Sequence, residues 1–132
     1  MTDDSFVNEI INFIDNTVED ITELRINTQK ELVAGVISDT PVDSGMARRN
    51  WQAAKDSVPT SIIPYAGSPS AAGAQAVSDA QAQAFGTDGV FCFVNNVFYV
   101  PYLELGTSKM AALGMARRNA KRIADNLRAR YG

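Results

Sequence analysis

The sequence contains no histidine, which removes the commonest general base and the commonest metal ligand together. Its one cysteine, Cys92, lies in the apolar run Val90-Phe91-Cys92-Phe93-Val94 and has no partner for an intrachain disulfide or a thiolate metal cluster. It reads as a buried small hydrophobe. Carboxylate catalysis or a carboxylate-held Mg²⁺ would need acids converging on one site, and no spacing in the chain proposes that convergence. Gly106-Thr107-Ser108-Lys109 has the residue types of a phosphate loop without the GxxxxGK[ST] spacing that makes one. No catalytic set, cofactor or metal is expected.

The remaining chemistry is that of recognition. Glu104 stands between Leu103 and Leu105, with Tyr99, Pro101 and Tyr102 before it and Gly106 after. A carboxylate in such company accepts N–H bonds that fix the turn, or pairs with an arginine, for which Arg48, Arg117 and Arg118 are the candidates. Trp51 reads as a core residue or as an interface anchor. Net charge is only −3, but it is unevenly spread. Residues 1–31 hold eight acids and two bases, whereas residues 105–132 hold seven bases (Lys109, Arg117, Arg118, Lys121, Arg122, Arg128, Arg130) and one acid, Asp125. Opposite ends of this kind suit head-to-tail packing of neighbouring subunits or steering of a partner; equally, they neutralise each other within one molecule. The basic helix could also lie along nucleic-acid phosphates.

These groups must be held by a single domain, given 132 residues with 45% hydrophobic and 20% charged content. No window approaches the roughly eighteen unbroken apolar residues of a membrane span, and the acidic start Met1-Thr2-Asp3-Asp4 is unlike a signal peptide, so no membrane association is expected.

From Phe6 onward apolar residues recur at threes and fours as far as Ile37, with no proline until Pro41. This predicts one amphipathic helix over about residues 5–37, capped by Asp4 or Ser5 and longer than a small core can cover. Part of its apolar stripe is therefore expected to await a partner. Asp43-Ser44-Gly45 offers an N-cap for a short helix over 46–49, and a strand is expected from Trp51. Residues 58–70, with Pro59, Pro64 and Pro69, read as an extended loop, and Ala71 to Phe85 as a weak helix or a flexible arm, so that 58–89 as a whole is expected to be a flexible loop or arm. Val90 to Val94 is the best strand, closed by Asn95-Asn96. Tyr102 to Leu105 forms a helical turn ended by Gly106. A final helix runs from Ala111 or Met115 to Arg130, with Ala116, Ala120, Ile123 and Leu127 as its apolar stripe. Gly-Met-Ala-Arg-Arg-Asn occurs twice, at 45–50 and 114–119, without matching flanks, and one short match does not make a structural repeat.

Two separated runs carry a family resemblance. Thr40-Pro41-Val42-Asp43-Ser44-Gly45, then Arg48 and Asn50-Trp51, resembles the TPVDTG, R and NW segment of tailed-bacteriophage neck proteins, also called tail-completion, head-tail joining or minor tail proteins. Downstream, Val94-Asn95-Asn96, Tyr99, Pro101-Tyr102-Leu103-Glu104, Gly106 and Ser108-Lys109, then Gly114-Met115 and Arg117, is similar to that family's NN, Y, LE, G, SK and GM run. The two runs stand in the family's order and cover residues 40 to about 123. Val100-Pro101 replaces an alanine often found after the tyrosine, and Ala112-Leu113 stands where a proline is common.

The resemblance implies an α+β fold, with the long N-terminal helix and the C-terminal helix packed on a small, mostly antiparallel β-sheet. It also implies a virion protein forming a homo-oligomeric ring, hexamer or dodecamer, at the head-tail junction, made in the host cytoplasm. Its partners would be other phage neck proteins and the tail terminator, with DNA passing through the channel without sequence-specific binding. Asp43, Arg48, Trp51, Tyr99, Tyr102, Glu104, Lys109, Arg117 and Arg118 are the residues expected at subunit or partner interfaces, with the acidic helix of one subunit meeting the basic helix of the next. The alternative is a DNA-binding accessory protein using the basic helix.

Overall fold

The apolar repeat after Phe6 forms one continuous helix, α1 (Asp3–Asp39), of 37 residues and about 55 Å. The computed structural model describes residues 3–131. Because α1 already begins at Asp3, Asp4 and Ser5 lie inside its first turn rather than capping it, and the position before the helix lies outside the described residues. Its C-terminus stops where Pro41 restricts Thr40. There Arg48 closes the orphan carbonyls, Nε donating to Thr40 O at 2.6 Å and Nη2 to Ser38 O at 3.0 Å.

After this stop come α2 (Met46–Arg49), β1 (Trp51–Lys55), α3 (Pro69–Gln81), β2 (Phe91–Asn95), α4 (Val100–Leu105) and α5 (Met115–Tyr131). The fold is α+β. The two strands pair antiparallel with Trp51 opposite Asn95 and Lys55 opposite Phe91. The period of two places Trp51, Ala53, Phe91 and Phe93 on one face, where Trp51 and Phe93 stack at 4.9 Å. Cys92 falls on the other face, and it is only partly buried rather than a core hydrophobe.

The C-terminal half of α1 is the spine of the molecule, and both α3 and α5 run antiparallel to it. Gly73 of α3 faces Ile37, while Gln81 Nε2 donates to Lys30 O at 3.0 Å. Asn119 of α5 reaches Asp39, and Leu127 lies near Leu24. The core these helices share with the sheet centres on Val33, Val36, Ile37, Trp51, Val97 and Met115.

Within residues 58–89, the segment read as a weak helix or a flexible arm forms the helix α3, whose Ala72, Ala76 and Ala80 are buried. Alanine buries little area, but it lets this helix sit close to α1. Residues 58–68 form no regular element, as an extended loop should. The stripe of α5 also differs from the expected one. Ala120 is exposed, and Asn119 is buried in its place because its amide donates to Met115 O at 2.7 Å and to Asp39 Oδ2 at 2.8 Å.

The repeated hexapeptide adopts one local conformation twice. Gly45 (φ 84°) and Gly114 (φ 61°) are both left-handed and both accept the N–H of the arginine four residues on. Asn50 and Asn119 are both buried, each bonding the carbonyl of the methionine four residues before it. Similarity ends there. Asn50 also exchanges two bonds with the backbone of Ile63, whereas Asn119 ties α5 to Asp39.

Candidate assembly surfaces

The residues expected at an interface separate into a buried group and an exposed one. Trp51 is 6% exposed, and its Nε1 donates to Thr40 Oγ1 at 2.9 Å, so it anchors the core and not an interface. Arg48 is spent on the end of α1. Asp43 sits exposed in the intervening turn with φ 30°; the N-cap position of α2 is the left-handed Gly45, and Ser44 just before it accepts the N–H of Met46 on its Oγ at 3.3 Å. The first motif therefore builds a helix stop and a core corner.

The second motif gathers at one end of the molecule. Glu104 does both things its setting called for: Oε1 accepts the N–H of Ala116 at 2.8 Å, and Oε2 accepts the N–H and Nε–H of Arg117 at 3.1 and 3.0 Å. A carboxylate at the positive end of α5 satisfies otherwise orphaned donors. Arg117 is thus the partner, while Arg48 is elsewhere and Arg118 is exposed without an ion pair among the described residues. Lys109 is exposed in the turn closed by Thr107 and Met110. Tyr99 is partly buried against Phe98, and Tyr102 is 57% exposed.

Around α4 a short apolar stripe faces outward. Phe98, in the turn just before α4, is 80% exposed, and Tyr102 and Leu105 on α4 are 57% and 65% exposed. Sequence reasoning singled out Tyr102 but missed Phe98 and Leu105, although the spacing of threes and fours was there to be read.

At the opposite end, α1 leaves the body. Arg25 marks the exit, donating to the carbonyl oxygens of Thr87 at 2.6 Å and Gly89 at 3.3 Å and lying over the ring of Phe85. Residues 4–21 before it are all exposed, an arm of about 27 Å at 1.5 Å per residue. Val7, Ile11, Ile14, Val18 and Ile21 form a seam along the arm at alternating spacings of four and three, with Phe6, Ile10 and Phe13 beside it. This is the uncovered part of the stripe. Fully burying each of these eight side chains would contribute about 1.5–3 kcal/mol, and the monomer leaves that unrealised.

The charged ends partly meet within one molecule. A groove of about 970 Å³ between α1 and α5 brings Arg130 and Tyr131 near Asp20 and Glu23, with no ion pair formed across it among the described residues. Further along α5, Asp125 pairs with Lys121 at 2.7 Å and Arg128 at 3.0 Å. The hydrogen bond from Lys121, helped by the charges of Lys121 and Arg128, holds the Asp125 carboxyl below its ordinary value; the same bond and the charge of Asp125 raise Lys121. Among the described residues no group of acids and cysteine is placed to hold a metal, and no helix is long and apolar enough to cross a membrane. Compared with protein-family models, curated proteins and solved structures, the chain matches none.

Proposed function

We propose that this chain is a virion structural protein of a tailed phage, forming a closed ring at the head-tail junction that connects the head-side connector to the tail. The observation that carries the reading is the arm: eight large apolar side chains on residues 6–21 stand exposed on a stretch of helix that no other described residue covers. A contiguous apolar face of this size belongs to a protein that functions assembled. The two ordered sequence motifs supply the phage neck as the place of assembly. An acidic arm at one end and the exposed Lys109 and Arg118 at the other suit subunits that repeat head to tail, and such contacts close into rings when the rotation permits. In a phage lacking this gene, DNA-filled heads and finished tails should accumulate unjoined. Normal yields of infectious particles would contradict the reading.

DNA binding through α5 is the second reading, favoured by the exposed Arg118 and Arg122 on its first turns. It predicts affinity for duplex DNA that falls steeply with salt. Arg117, Lys121 and Arg128 are already engaged by Glu104 and Asp125, so that Arg118, Arg122 and Arg130 are the α5 cations outside ion pairs among the described residues.

A further inference from the structure

Resting on the ring-forming reading, we propose that the tip of the arm of one copy docks on the α4 face of a second copy, Val7, Ile11 and Ile14 covering Phe98, Tyr102 and Leu105.

Within a single chain this contact cannot form. Asn119 bonds Asp39, and Glu104 caps the start of α5, so α4 sits at the C-terminal end of α1. The arm begins at Ile21, about 27 Å back along the same helix, and points away. Each molecule therefore carries two uncovered apolar faces at opposite ends, and one can reach the other only between copies. Their sizes agree: the six residues of α4 rise roughly 9 Å, close to the roughly 10 Å of one seven-residue repeat of the arm, Val7 to Ile14.

Charge selects this pairing over the two rivals that a second copy offers. Residues 3–24 contain seven acids and no base, so bundling arms with one another would gather like charges. The groove between α1 and α5 has a mixed rim, Asp20, Glu23 and Glu31 against Lys30 and Arg130, and so offers an acidic arm no net attraction. Beside α4 stand Lys109 and Arg118, both exposed and neither in an ion pair among the described residues. An acidic helix with an apolar seam thus meets an apolar stripe edged by cations. Because the two faces differ, the contact is heterologous, and repetition generates a ring or a filament.

The test is a disulfide trap in the full chain. In a Cys92→Ser background, Ile14→Cys and Leu105→Cys are introduced together and singly, and oxidised both in the chain concentrated to millimolar and in particles assembled with it. The inference expects a ladder of covalent multimers from the double variant and none from either single one. Leu105→Asp should lower association at least tenfold while leaving thermal unfolding unchanged, since this side chain is exposed. Dimers from Ile14→Cys alone, or association indifferent to Leu105→Asp, would overturn the contact while leaving a ring-forming chain. No ladder in either setting overturns it as well. Absence of the chain from the particle would remove the ring reading itself.

Discussion

The Oε2 atom of Glu104 accepts two bonds from Arg117, one from its backbone N–H at 3.1 Å and one from its Nε–H at 3.0 Å. The carboxylate thereby ties α4 to the first turn of α5, beside the backbone bonds from Leu113 to Leu103 and from Gly114 to Glu104. Its side chain is 16% exposed while that of Arg117 is 59% exposed, so the two partners are not equivalent. Glu104→Ala removes the cap of α5 and should lower stability by about 1–2 kcal/mol. Arg117→Ala removes only the exposed half of the pair and should lower it by less than about 1 kcal/mol. Urea unfolding of the two variants measures the difference.

Thr40 is fully buried, and its hydroxyl stands between the indole of Trp51 and the carbonyl of Val36. Thr40→Val keeps the shape but leaves the Trp51 N–H without an acceptor, and should destabilise the chain by about 1–3 kcal/mol. Trp51 is the only tryptophan, so its fluorescence reports the unfolding directly.

Gly45 and Gly114 open the two copies of the hexapeptide, both with positive φ. Alanine at either position meets the left-handed penalty of about 1–2 kcal/mol. At Gly45 the new Cβ would also lie 3.0 Å from the Ala72 Cβ and the Pro69 Cα, whereas at Gly114 the nearest atom is the movable Arg117 Nη2 at 3.3 Å. Gly45→Ala should therefore lower the melting temperature more than Gly114→Ala, and equal shifts would contradict the packing described at Gly45.

The α+β architecture was legible because its signals are local. Threes and fours after Phe6, the Val90–Val94 run and Gly106 each act within a few residues, and the structure forms α1, β2 and α4 there. What α3 packs on was not legible, since its alanines bury little area and their burial depends on α1 and β1, far away in sequence. Asn119 was missed for a similar reason: a polar residue is buried only when distant partners satisfy it, and Asp39 is eighty residues away. Among the expected interface residues, those at 99–118 gathered at one end, while Arg48 and Trp51 proved to be structural. Spacing identifies a motif without saying whether its side chains face inward.

Asp125 and Lys121 are both exposed, so their pairing affects local helix order in α5 more than global stability. A depressed carboxyl contributes stability above its unfolded value near 3.8, which is lost as pH falls through the lower folded value; a raised lysine contributes below 10.5, which is lost as pH rises through the higher folded value. The contribution should be constant between those limits. An NMR titration of the Asp125 carboxyl should show its midpoint move upward in Lys121→Ala, and an unmoved midpoint would mean that the bond does not persist in solution.

The central claim is that this chain works as a ring at the junction of a phage head and tail, and cryo-electron microscopy of the intact particle tests it most directly. The account predicts a ring of density at the junction into which copies of this chain fit, with the arm of each subunit leaving its own body to lie on a neighbour. A particle whose junction is fully explained by other proteins, with this chain absent, would contradict it.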